Sequence, residues 1–321
     1  MATVRALIVG CGNIGGRFDF ARAPALPLTH AGAYQRDGRF QLDACVEPDD
    51  VRRDEFMRAW RIPAGFRSLE EATDLTDNLD VISICSPTAS HATNLEAALA
   101  LRPRIIFCEK PVSTTLPQAE SLVASCARAR VPLAVNYTRR WDPDVADLKR
   151  GVDEGRWGPL RAVTGHYNKG LLNNGSHMLD LLHFLLGPLR VVHAGRPIPD
   201  FFPDDPSIPV WMETAVGLTV QLGCAHAADY AFFELQLVFA QTVITMEEGG
   251  LFWRERPATD SAEFAGYRVP GDGARRPGSY AQAMLRSVDN IFGAVTRAQP
   301  LASTGESALA AQRLCEEIRN R

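Results

Sequence analysis

Gly10-Cys11-Gly12-Asn13-Ile14-Gly15 fits the pattern G-x-G-x-x-G and follows directly on the apolar run Leu7–Val9. Such a turn suits a dinucleotide. Gly10 would permit the tight turn, Gly12 the close approach of a pyrophosphate, and Gly15 close packing of helix on strand. The N-terminus of the following helix offers free N–H groups and the positive end of a dipole. The bare pattern is weak; its place after the first strand of an alternating strand–helix half makes it specific. The second apolar run ends in Val46-Glu47, and a carboxylate there accepts hydrogen bonds from an adenosine ribose and repels a 2′-phosphate. NAD is therefore expected over NADP. Glu47 lies 32 residues past Gly15, against about 20 in the usual spacing. The segment Phe18–Leu28 holds Asp19, Pro24 and Pro27, all hostile to a helix interior, and is expected to be an inserted loop. A helix resumes over Thr29–Tyr34 with Thr29 as its N-cap.

A parallel sheet must position these residues. Val4–Val9, Gln41–Val46, Val81–Cys85, Ile105–Cys108 and Leu133–Val135 are short apolar runs, separated by helical patterns such as His91–Ala100 and Leu116–Arg130. Strands apolar on both faces with helices between them predict a doubly wound Rossmann domain over 1–135. The second half has another rhythm. Leu160–Tyr167, Ala215–Gln221, Ala231–Phe239 and Thr242–Glu247 look like strands with partial alternation, and Ser176–Leu186 like a helix. Pro197–Pro209 is expected to be a loop and 254–279 irregular, with helices over Tyr280–Arg297 and Gly305–Asn320. This predicts a C-terminal α+β domain over 136–321, built on a largely antiparallel open sheet. Its last helices could pack back on the N-terminal domain.

Composition narrows the function classes. A chain of 321 residues suits two domains, each with its own core. The net charge of −4 gives no electrostatic footprint for nucleic acid. No apolar stretch approaches the roughly 18 residues that a membrane span needs. Seven scattered cysteines without a C-x-x-C pair suit a reducing compartment, and MATVRALIVGCG lacks a signal-peptide layout, so a cytoplasmic protein is expected. No H-E-x-x-H or paired His/Cys cluster calls for a metal.

Further along come Ser86-Pro87-Thr88-Ala89-Ser90-His91 and, after a buried strand, Cys108-Glu109-Lys110-Pro111. Asn136-Tyr137-Thr138-Arg139-Arg140-Trp141, Asn174-Gly175-Ser176-His177-Met178-Leu179-Asp180 and Pro300–Glu306 follow in order. With the glycine-rich turn, these blocks make the chain resemble the Gfo/Idh/MocA family of sugar and inositol dehydrogenases over nearly its whole length. The resemblance implies cofactor contacts at Gly10, Gly12, Asn13, Ile14, Gly15, Glu47, Ser86, Pro87, His91, Glu109 and Lys110. It places Lys110 beside the nicotinamide and the reacting hydroxyl, with Pro111 helping to fix that turn. Chemistry agrees: a lysine at the carboxyl end of a parallel strand points into the ligand crevice, where a cation can hydrogen-bond a developing alkoxide.

His177 is similar to the family's proton-transfer histidine, which follows an aspartate by four residues. Here that place holds Asn173, an amide that can orient an imidazole but cannot stabilise its cation. Asp180, three residues beyond His177, could share its helix face and partly replace the carboxylate, or could pair with Arg139 or Arg140 instead. Tyr167, Asn168 and Lys169, at the end of a strand, are further candidates to face substrate. The reaction implied is hydride transfer between a nicotinamide and a carbinol carbon of a sugar, cyclitol or sugar derivative, with Lys110 and His177 handling the hydroxyl proton. A redox-neutral elimination or glycosidic cleavage with NAD retained, and a sensor without turnover, are the alternatives. A homodimer or homotetramer paired through the antiparallel sheet is expected from the same resemblance.

Overall fold

A computed structural model describes residues 3–20, 26–76 and 78–321 of the chain. Arg22 and Pro24 of the expected insertion lie outside the described residues. The chain divides into two compact units: one runs to Trp141 and includes Ala281–Leu309, and the other comprises Asp142–Tyr280 and Ala310–Arg321.

The first unit holds a six-stranded parallel sheet of β1 (Val4–Val9), β2 (Phe40–Val46), β3 (Ala64–Phe66), β4 (Val81–Ile84), β5 (Ile105–Cys108) and β6 (Leu133–Val135). Its order is β3-β2-β1-β4-β5-β6, the doubly wound arrangement. All four residues of β4 and of β5 are buried, as a sheet covered on both faces demands. The covering helices are α1 (His30–Asp37), α2 (Asp50–Trp60), α3 (His91–Ala100) and α4 (Leu116–Ala129). Caps fix several starts: the Thr29 hydroxyl accepts from Gly32 N–H and the Asp49 carboxylate from Arg52 N–H. The strand β3 and the helix α2 carried no clear pattern in the sequence.

The inserted segment explains the long spacing to Glu47. Gly16 and Arg17 N–H groups return to Gly12 O, forming a first helical turn, and the chain then departs. It comes back at α1, whose His30 and Ala31 N–H groups donate to Ile14 O and Gly15 O, so the two pieces stack on each other across the insertion. Asp19 anchors the return. Its buried carboxylate accepts from Leu28 N–H, Thr29 N–H and the Thr29 hydroxyl.

The second unit is built on a nine-stranded sheet. After α5 (Pro143–Asp153) come β7 (Leu160–Tyr167), α6 (Ser176–Leu186), β8 (Leu189–Ala194), a hairpin of β9 (Ile198–Phe202) and β10 (Asp205–Ser207), and then β11 (Val210–Thr214) and β12 (Thr219–Cys224). The strands β13 (Phe233–Phe239), β14 (Thr242–Glu247), β15 (Phe252–Asp260), β16 (Arg268–Pro270) and β17 (Ala274–Pro277) complete it. The order is β16-β15-β14-β13-β7-β12-β11-β8, with β17 beside β15. Only β7 and β12 pair in parallel; the other pairs are antiparallel. Alternation along β13 turns Phe233, Leu235, Leu237 and Phe239 inward, where Met178, Leu181, Leu182 and Leu185 of α6 cover them.

Three expectations fail locally. Ala215–Leu218 is a turn between β11 and β12, with Gly217 at φ 79°. Pro197–Pro209 carries the β9–β10 hairpin, and 254–279 carries most of β15 with β16 and β17. In the latter two, prolines and charges masked the strands, of which β9 and β10 pair only with each other. The final helices also divide between the units: α7 (Ala283–Arg297) puts Met284, Val288, Ile291 and Phe292 into the first core, whereas Leu314, Cys315 and Ile318 of α8 (Gly305–Arg319) join the second.

Tyr167 ends β7 inside the second core, fully buried, and its hydroxyl donates to Ile208 O at 2.7 Å while accepting from Ile208 N–H at 3.0 Å. Tyr167→Phe strands both backbone groups in an apolar setting. The expected loss is about 1–3 kcal/mol in denaturant unfolding; an unchanged midpoint would show that water replaces the hydroxyl.

Candidate active site

The sheet of the first unit reverses its winding between β1 and β4, and the polar residues gather at the carboxyl ends there. Gly10 has φ 93°, and a Cβ on it would stand 2.6 Å from Ser86 N, so glycine alone lets the turn lie against the end of β4. Gly12 faces open space, with nothing within 4 Å of where a Cβ would be. An open, side-chain-free turn beside a helical start fits a pyrophosphate. Asn13 is exposed and Ile14 half-buried on the same turn. The buried Glu47 carboxylate accepts from Cys11 N–H at 3.1 Å and from Asp49 N–H at 3.2 Å, with Arg52 Nη1 at 3.4 Å. It therefore stands against the glycine turn, where a ribose would follow the pyrophosphate.

His91, expected to touch the cofactor, is 1% exposed, and its ring nitrogens meet Pro111 O and Ser86 O, each at 2.8 Å. It staples the turn after β4, which holds Ser86 and Pro87, to the turn after β5, which holds Lys110 and Pro111. The Lys110–Pro111 peptide is cis. The Ser86 hydroxyl accepts from the Asn94 amide at 2.8 Å.

Glu109 is held from several sides. Its Oε1 meets His30 Nε2 at 3.0 Å and accepts from Asn136 Nδ2 at 2.6 Å. Burial pushes this carboxyl up, but the His30 hydrogen bond, the Asn136 amide and the Lys110 charge together hold it below the usual carboxylate range. Burial, then the Glu109 charge, pushes the neighbouring Cys85 and Cys108 thiols well above their ordinary value, so both stay neutral. His30 and Ser83 were not singled out in the sequence. The faint signal for His30 was its place just after the Thr29 cap, on the first turn of the resumed helix.

In the second unit the chain leaves β7 through Asn168 and Lys169 into a π-helical turn, Gly170–Gly175, which runs into α6 with His177 in its first turn. Tyr167 is a core pin, and Asn168 is fully buried, its amide donating to Tyr230 O and accepting from Phe232 N–H. Lys169 is half-buried with φ 65°; its N–H donates to Asp200 at 2.7 Å and its ammonium lies 5.5 Å from the centre of the Phe201 ring.

The hairpin governs this turn. Asp205 accepts from Leu172 N–H and Asn173 N–H, both at 2.8 Å, and the Ser207 hydroxyl accepts from Gly170 N–H at 3.0 Å. The Asp205 carboxylate packs so closely on Gly170, at φ 87°, that a Cβ there would collide with it. Asn173 donates from its side-chain amide to Lys169 O at 3.0 Å. A carboxylate thus reaches this turn from β10, a contribution that no local pattern could announce. Asp180 is buried on α6.

Parallel order 3-2-1-4-5-6, a glycine cradle at the switch point and an acidic end to β2 define a nicotinamide-dinucleotide-binding oxidoreductase fold. Residues 4–137 match the model of an oxidoreductase family with an NAD-binding Rossmann fold, Gfo/Idh/MocA. The chain is thus similar to the Gfo/Idh/MocA family over its dinucleotide-binding unit. It is 25% identical over 345 aligned residues to an inositol 2-dehydrogenase of Rhizobium meliloti (strain 1021), covering 98% of this chain and 95% of that protein. A D-apiose dehydrogenase of Paraburkholderia graminis is 25% identical, over 76% of this chain and 65% of its own length. Among solved structures, an oxidoreductase from Agrobacterium radiobacter in complex with NAD+, L-tartaric acid and magnesium has a TM-score of 0.78 at 16% identity, covering 99% of this chain and 95% of that one.

Asp205→Ala releases two N–H groups of the π-helical turn. Amide hydrogen exchange over 170–176 is expected to quicken roughly tenfold while β7 is unaffected. Asn173→Asp removes the donor to Lys169 O and adds a second carboxylate beside Asp205, so this change is expected to lower the thermal midpoint; a raised midpoint would contradict the assignment.

Proposed function

We propose that this protein is an NAD-dependent dehydrogenase acting on a CH–OH group of a sugar or cyclitol. The observation that carries this reading is the position of Lys110 at the carboxyl end of β5, on the same sheet edge as the glycine cradle. The full-length likeness to an inositol 2-dehydrogenase supports the substrate class.

Oxidising a carbinol removes a hydride from its carbon and a proton from its oxygen. NAD, when bound, supplies the hydride acceptor at its nicotinamide C4. The chain's own residues serve the oxygen and its proton. The Lys110 ammonium would hydrogen-bond the substrate oxygen and stabilise the charge that grows there as the proton departs. His177, in the first turn of α6, is the second proton-handling group. Asn173 holds the turn that precedes it and supplies no charge. Lys169, stacked on Phe201, offers a cation to polar groups of the substrate.

Lys110→Ala is expected to lower NADH formation from myo-inositol, D-apiose or D-xylose at least about a hundredfold, with the Kd for NAD within threefold of wild type. Undiminished turnover would remove Lys110 from the chemistry. Substrate consumption without net NADH formation would favour a redox-neutral cycle. Glu47 beside the glycine turn is expected to make NAD bind more tightly than NADP, and Glu47→Ala to narrow that ratio. Equal affinities in wild-type titrations would refute the role of Glu47.

A further inference from the structure

Behind the turn that bears Lys110 lies a chain of buried polar groups that the proposed reaction leaves unused. Tyr34 hydroxyl and Ser83 Oγ are 2.7 Å apart, Ser83 Oγ and His30 Nδ1 3.2 Å, and His30 Nε2 and Glu109 Oε1 3.0 Å. Tyr34, Ser83 and His30 have no measurable exposure, and the Glu109 side chain retains 14%. The direction of the hydrogens follows from the closed end. Among the described residues the Tyr34 phenol meets only Ser83, so its hydrogen must point there or be stranded in the core. The Ser83 hydroxyl then gives its own hydrogen to His30 Nδ1, which must carry a lone pair. The hydrogen on His30 Nε2 is then the one that meets Glu109.

We propose that the chain Tyr34–Ser83–His30 is a positioning device for Lys110: it delivers one directed N–H to Glu109 and so maintains an ionised carboxylate next to the lysine. Asn136 adds a second donor to the same oxygen. The other titratable groups around Glu109, the Cys85 and Cys108 thiols, are neutral and cannot substitute for either partner. Without the His30 donor, burial dominates and Glu109 takes up a proton. One negative charge beside Lys110 is then lost, and the lysine releases its proton at lower pH. His30 and Glu109 act through Lys110 and are positioning residues. The inference deepens the reading of Lys110 as a proton-handling group.

The sequence makes a substrate-free test practical, because Lys110, Lys149 and Lys169 are its only lysines. Reductive methylation of the full-length protein with 13C-formaldehyde gives three lysine signals, and Lys110→Arg identifies the relevant one. Its titration midpoint is expected to fall by about one pH unit in Glu109→Gln and in His30→Leu. It should return toward wild type in His30→Gln, whose amide can donate to Glu109 and accept from Ser83. The Lys149 and Lys169 signals should stay in place, which a general loosening of the fold would not allow. An unmoved Lys110 midpoint in folded Glu109→Gln overturns the proposal, and that nearly isosteric variant decides the matter if His30→Leu does not fold. Because no substrate enters the measurement, a Lys110 variant with full turnover would end the catalytic reading while leaving this result standing.

Discussion

A parallel sheet buried on both faces has one place for polar chemistry, its carboxyl edge. The strands β4, β5 and β6 are buried throughout because helices cover them above and below, so charge gathers where the strands stop. There Gly10 follows β1, Glu47 follows β2, Ser86 lies just past β4, and Glu109 and Lys110 follow β5. The glycine at position 10 makes this convergence possible, because any side chain there would push the first turn off the end of β4.

Gathering ionisable groups in a partly desolvated place creates a second constraint. A carboxylate such as Glu109 is unfavourable there unless donors surround it, and His30 and Asn136 provide them. His30 can do so because the insertion after the glycine turn ends on Thr29, whose N–H and hydroxyl are fixed by Asp19. Two loosely related features, a long spacing and a buried histidine, are thus parts of one arrangement. His91 ties the turns after β4 and β5 through backbone carbonyls, so the residues on them are set relative to each other.

The second unit solves a different problem. Its α6 begins after a π-helical turn entered through a left-handed lysine, a geometry that local sequence does not favour. The hairpin of β9 and β10 compensates, with Asp200, Asp205 and Ser207 receiving three regions of backbone N–H from the turn. The backbone N–H of Asn173 in this turn is thus held by an acidic residue 32 positions later in the chain.

Features with a fixed local period or a fixed local chemistry were legible in the sequence. Buried parallel strands, the glycine turn, the Thr29 cap and the amphipathic strands β7, β13 and β14 all declare themselves within a dozen residues, because each satisfies its own hydrogen bonds or its own face. The resemblance carried by Glu109-Lys110-Pro111 and the block around His177 added the family. What only the tertiary structure decided depends on partners distant in sequence: His30 with Glu109, Asp205 with Leu172 and Asn173, and the buried backbone groups that Tyr167, Asn168 and His91 meet. A polar side chain looks the same in the sequence whether it faces a ligand or a buried backbone group, and only the folded chain supplies the partner that decides.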